Sequence, residues 1–110
     1  APLPPGAQPA PLWGNEDHVR ELFADNVVDL TFRRQTILIE RSPTPFEFRE
    51  YWKRNYGPTI AVYKFNEDRP EQLADLDRDF LAFLETWNQS TEPGRTAYSA
   101  EYLLVTATKL

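Results

Sequence analysis

The 110 residues predict an α+β fold in which helices accompany a long antiparallel strand pair, and three observations lead there. Residues 27–40 and 99–109 are rich in β-branched and aromatic side chains and contain neither Pro nor Gly, as strands require. Residues 45–55 and 70–88 carry apolar side chains at helical spacing, each opened by a proline at its first position. The chain has no internal repeat, so the helices are an excursion between two strands that can pair antiparallel.

In chain order, the first eleven residues contain five prolines, at positions 2, 4, 5, 9 and 11. Proline fixes φ and restricts its predecessor, so 1–11 is expected to be an extended linker or strap, and 12–110 a single α+β segment. An opening of Ala-Pro-Leu-Pro-Pro in a chain without methionine is expected to lie inside a longer protein, the alternative being a processed mature chain. Asn15 is a candidate N-cap, Glu16 and Asp17 suit the positive end of a helix dipole, and Val19, Leu22 and Phe23 form a one-sided stripe. His18, in the first turn, reads as a partly exposed helix residue, with ligand contact the lesser alternative.

The strand 27–40 changes hydrophobic phase: Leu30 and Phe32 share one parity, Val27, Ile37 and Ile39 the other. Side chains alternate faces, so a bulge or bend near 33–36 is expected. Thr44-Pro45-Phe46-Glu47 fits a capping box, and Gly57-Pro58 is expected to stop the helix with a left-handed glycine. Within it Phe48, Tyr51, Trp52 and Tyr56 share one aromatic face. Residues 59–65 permit strand or short helix, the helix being preferred. The helix 70–88 is apolar at Leu73, Leu76, Phe80, Phe83, Leu84 and Trp87, with Asp75, Asp77, Asp79 and Glu85 expected on a solvated face rather than around a metal. Pro93-Gly94 breaks the loop, and the final strand is apolar on both faces near its middle, as in an interior strand. Such a strand calls for completion of the sheet, by upstream strands of a longer chain or by a second copy.

Composition narrows the function. A net charge of −5 without a basic stripe argues against nucleic acid or an anionic membrane as partner. Without cysteine there is no disulfide, zinc thiolate or cysteine nucleophile, which is compatible with a cytoplasmic setting. The single histidine has no G-x-S-x-G elbow to serve. No apolar run approaches the roughly 20 residues of a membrane span.

The order of motifs resembles the C-terminal part of class I S-adenosylmethionine-dependent methyltransferases. The matching features are Leu12-Trp13-Gly14, the helix with Val19-Arg20-Glu21-Leu22-Phe23, and the strand from Asp29 to Arg34. They continue with Ser42-Pro43-Thr44-Pro45-Phe46-Glu47-Phe48, Tyr56-Gly57-Pro58 and Glu101-Tyr102-Leu103-Leu104-Val105-Thr106-Ala107. The resemblance implies that the segment is the C-terminal portion of an α/β Rossmann-like sheet, its final strand inserted inside its predecessor. It also implies that the intervening helices shape the side of the cleft where a small-molecule acceptor binds, with Tyr51, Trp52, Tyr56 and Tyr63 as candidate substrate-binding residues. S-adenosylmethionine would be the cofactor of the parent enzyme. The family's cofactor site needs a Gly-rich turn, whereas Gly6, Gly14, Gly57 and Gly94 are isolated here. These residues alone are therefore expected neither to bind the donor in the usual manner nor to transfer a methyl group. The competing expectation is a free-standing, non-enzymatic α+β module that dimerises through its sheet or binds an apolar ligand.

Overall fold

The structure is a computed structural model that describes residues 3–110. Its elements are α1 (Glu16–Phe23), β1 (Val27–Ile39), α2 (Pro45–Asn55), α3 (Gly57–Phe65), α4 (Pro70–Trp87) and β2 (Tyr98–Lys109), with short 3-10 helices at Ala10–Gly14 and Ala24–Asn26. The fold is α+β, and β1 and β2 form a two-stranded sheet. Its antiparallel register follows from three pairings: Leu110 N–H donates to the Asn26 carbonyl at 3.2 Å, Thr31 meets Thr106, and the Tyr102 hydroxyl donates to Gln35 Oε1 at 2.6 Å.

The chain divides into two compact units. One comprises Leu38–Ser99 and is built on α2, α3 and α4. Its core is Phe48, Leu84 and Tyr98, with Ile39, Trp52 and Phe80 packed against them. The Phe48 and Tyr98 rings lie 4.7 Å apart, and the Tyr98 hydroxyl donates to the Leu84 carbonyl at 2.9 Å, which satisfies the one polar atom that ring buries. The other unit comprises 3–37 with Ala100–Leu110 and holds α1 and most of the strand pair. Val19 is its fully buried apolar residue.

Several local expectations are refined. Of the proline-rich segment, residues 1 and 2 lie outside the described residues. The remainder is not simply extended: Pro4 to Ala7 form a turn closed by Ala7 N–H on the Pro4 carbonyl at 3.1 Å, with Gly6 at φ +80°. Pro5 followed by a left-handed glycine is the chemistry of a type II turn. The linker also ends earlier, since the 3-10 helix begins at Ala10. In β1 the half-buried positions switch from Leu30 and Phe32 to Gln35 and Ile39, while the left-handed residue lies upstream, at Asp29 with φ +55°. Gly57 does not stop α2 in a left-handed conformation; it opens α3, and Pro58 occupies the first turn, where no N–H is needed. The break falls on Tyr56, whose extended backbone ends α2 and begins α3. No helix of the described residues is long and apolar enough to cross a membrane.

Candidate functional site

The helical unit contains a polar clamp that joins α2, α3 and α4. Asp77 on α4 is its centre: its carboxylate Oδ1 accepts from Tyr63 Oη of α3 at 2.5 Å and from Lys53 Nζ of α2 at 2.9 Å. Its backbone carbonyl accepts from Arg49 Nη1 at 2.8 Å. Arg49 is itself buried and donates to Glu50 at 2.8 Å, while Lys53 Nζ lies over the Tyr63 ring, 4.6 Å from its centroid. The helical period explains the convergence. Arg49 and Lys53 are four residues apart and occupy one face of α2.

Electrostatics lock the protonation states. Burial pushes the Tyr63 phenol far above its ordinary value, and the neighbouring Asp77 carboxylate pushes it the same way. For Asp77 burial works towards a higher value. The hydrogen bonds from Tyr63 and Lys53, with the charges of Lys53 and Arg49, outweigh burial and hold the carboxyl below its usual range. Tyr63 is thus a neutral donor and Asp77 a carboxylate whose Oδ1 accepts from both neighbouring helices. The clamp ties α2, α3 and α4 together through one residue.

Beside it, α3 and α4 bound a groove of about 290 Å³ lined by Pro58, Thr59, Val62, Tyr63, Leu76 and Phe80. None of these side chains carries a charge. Because the Tyr63 hydroxyl is turned to Asp77, the groove is offered the aromatic body of that residue. A larger cleft of about 570 Å³ in the same unit is lined by residues of both charges, among them Glu40, Arg41, Glu92 and Arg95, the last two paired at 3.4 Å. In the other unit an apolar hollow of about 670 Å³ lies against Trp13, Phe23, Val27, Leu103, Val105 and Ala107, with Lys109 at its margin.

The four aromatic residues expected to line one pocket are distributed among three settings. Trp52 stacks on Phe48 at 5.6 Å and meets Tyr56 edge-on at 4.1 Å, continuing the core outward. Tyr51 lies beneath the Arg41 guanidinium, 4.1 Å from ring centroid to Cζ. Of the four, Tyr63 alone lines the α3–α4 groove. His18 is half-buried in α1, and its backbone N–H donates to the Asn15 side chain at 2.9 Å, so the expected N-cap is formed. Asp77, expected on the solvated face of α4, instead anchors the clamp, whereas Asp75 and Asp79 stay exposed and pair with Arg78 at 2.9 and 3.3 Å. The contributions of Asp77, Lys53 and Arg49 escape a sequence reading; the one available signal is that Arg49 and Lys53 recur at i and i+4 beside the aromatic face.

Comparison with known proteins gives relatives rather than a named activity. The chain is 43% identical over 77 residues to an uncharacterized protein of Mycobacterium tuberculosis, a match that covers 70% of this chain and 28% of the relative. A second uncharacterized protein of that organism is 38% identical over 109 residues, 99% of this chain and 36% of the relative. Equivalent proteins of Mycobacterium bovis match to the same extent. No protein-family model matches the chain, and no solved structure does. The chain thus spans about a third of the length of the curated mycobacterial proteins to which it is similar.

Proposed function

We propose that the chain is the substrate-side, C-terminal segment of a Rossmann-like S-adenosylmethionine-dependent methyltransferase that acts on a small molecule. The observation that carries the proposal is the placement of three helices between two long antiparallel strands whose apolar side chains lack cover. Ile37, Tyr102 and Leu104 of the strands remain 54%, 44% and 38% exposed, and the apolar hollow beside Leu103 and Val105 is open. A two-stranded sheet with exposed apolar residues is a poor end state in water, whereas further strands and helices would bury them. Relatives well over twice as long as this chain have the residues to supply them.

In this reading the donor and its Gly-rich turn belong to the remainder of the longer protein, and the helical unit positions the acceptor. Methyl transfer draws much of its rate from holding donor and acceptor in line, so the segment needs no nucleophile of its own. A cytoplasmic setting belongs to the same reading, in keeping with a chain free of cysteine. The second reading, a free-standing module that dimerises through its sheet or binds an apolar ligand, draws on the exposed strand residues for the first and on the α3–α4 groove for the second.

Amide hydrogen exchange of β2 discriminates between the two. In the 110-residue chain, the β2 amides that do not face β1 are expected to exchange rapidly. The matching amides in the longer relative are expected to be protected. Slow exchange of both sets in the short chain, together with a dimeric mass, would favour the module.

A further inference from the structure

Resting on the methyltransferase reading, we propose that the groove between α3 and α4 receives a neutral aliphatic part of the acceptor, which makes the substrate an uncharged, lipid-like small molecule. The lining carries the argument. Pro58, Val62, Leu76 and Phe80 are apolar, Tyr63 contributes its ring, and Thr59 supplies the remaining hydroxyl. The charged groups of the clamp are directed at one another: Asp77 holds Tyr63 and Lys53, and Arg49 holds the Asp77 carbonyl and Glu50. A phosphate, carboxylate or ammonium entering the groove would give up water and find no opposite charge among the lining residues, only the Thr59 hydroxyl, whereas a hydrocarbon chain gains by leaving water.

Size separates a small ligand from a protein partner. At about 290 Å³ the groove stands just below the roughly 300–1,000 Å³ of ordinary small-molecule sites. A stable protein interface engages about 20–30 residues on each side, far more than the six that line this groove. By itself the groove is thus too small to make a stable protein interface. The clamp supplies the rigidity such a site needs, because one α4 residue fixes the helix on the opposite wall through Tyr63.

The test is a nuclear magnetic resonance titration of the 110-residue chain with 1-decanol as the probe and inorganic phosphate as the charged comparison. Decanol is expected to shift the amides of Thr59, Val62, Leu76 and Phe80 saturably, and phosphate to leave them unmoved. Val62→Trp, which fills the groove, and Leu76→Asp, which places a charge in it, should each weaken decanol by about ten-fold or more. Glu92→Gln, in the separate polar cleft, should leave it unchanged. Far-UV circular dichroism identifies a variant that fails to fold, and the other then carries the test. Decanol shifts confined to β1 and β2, or unaltered by a folded groove variant, would overturn the proposal. Titration of S-adenosylmethionine into the longer mycobacterial relative decides the underlying reading separately. Donor binding without decanol binding removes the lipid-like substrate and leaves the methyltransferase; decanol binding without donor binding removes both as an acceptor claim and leaves a ligand-binding module.

Discussion

Asp77 gathers donors from two helices through its carboxylate and from Arg49 through its carbonyl, so it is the residue whose loss should be felt most widely. Asp77→Asn removes the charge that Lys53 and Arg49 face and is expected to destabilise the fold by about 1–2 kcal/mol, measured by urea unfolding. Tyr63→Phe should cost about 1 kcal/mol. The pH dependence follows from the signs. Asp77 is depressed in the folded chain, so its contribution is present above the ordinary carboxylate value of 3.8 and is lost as pH falls through its lower folded value. Tyr63 is raised, so its contribution is present below the ordinary tyrosine value of 10.0 and declines as pH rises above it. Thermal unfolding of Asp77→Asn should accordingly show a weaker acid-side fall than the parent chain. Ala24 is a different case: at φ +44° and ψ −127° it holds a backbone conformation suited to glycine. Ala24→Gly should therefore stabilise by about 1 kcal/mol, and an unchanged urea midpoint would contradict that. Sequence nominated Tyr63 for its aromaticity but could not name Asp77 as its partner. That pairing depends on how α3 packs on α4, and a carboxylate among other carboxylates looks like solvated surface.

The helices were the legible elements because their ends are written locally. Thr44 accepts from the Glu47 N–H at 3.1 Å, and its own hydroxyl donates to the Glu47 carboxylate at 3.3 Å, so the cap forms with the side chains joined to each other. Thr44→Ala should cost about 1 kcal/mol in urea unfolding. Phe48→Ala, in the core of the helical unit, should cost about 3–5 kcal/mol. The α2–α3 junction was misread because Gly-Pro is both a stop and a start signal, and the choice turned on Tyr56 adopting the extended conformation instead. The strands were legible as strands, and the change of phase in β1 was visible in the spacing of Leu30, Phe32, Ile37 and Ile39. The left-handed Asp29 was not, although Asp is among the few residues other than Gly that adopt that conformation readily.

At the scale of the molecule, the most informative feature is how little of the apolar side-chain surface is covered. Val19, Phe48, Leu84, Ala97 and Tyr98 are the buried hydrophobic residues among those described, while Trp13 and Trp87 are 57% and 61% exposed and several strand residues stand open. The chain matches only 28% and 36% of its longer relatives. The two apolar faces of β2 predict an interior strand, but in the two-stranded sheet β2 pairs with β1 alone, and Tyr102 and Leu104 stay exposed. The central claim is that such a longer protein uses this segment to present an acceptor to S-adenosylmethionine. Calorimetric titration of S-adenosylmethionine into the relative that aligns over 99% of this chain tests it most directly. Saturable binding of one donor per chain, with no binding by the 110 residues alone, is the predicted result. A folded relative that takes up no donor would contradict it.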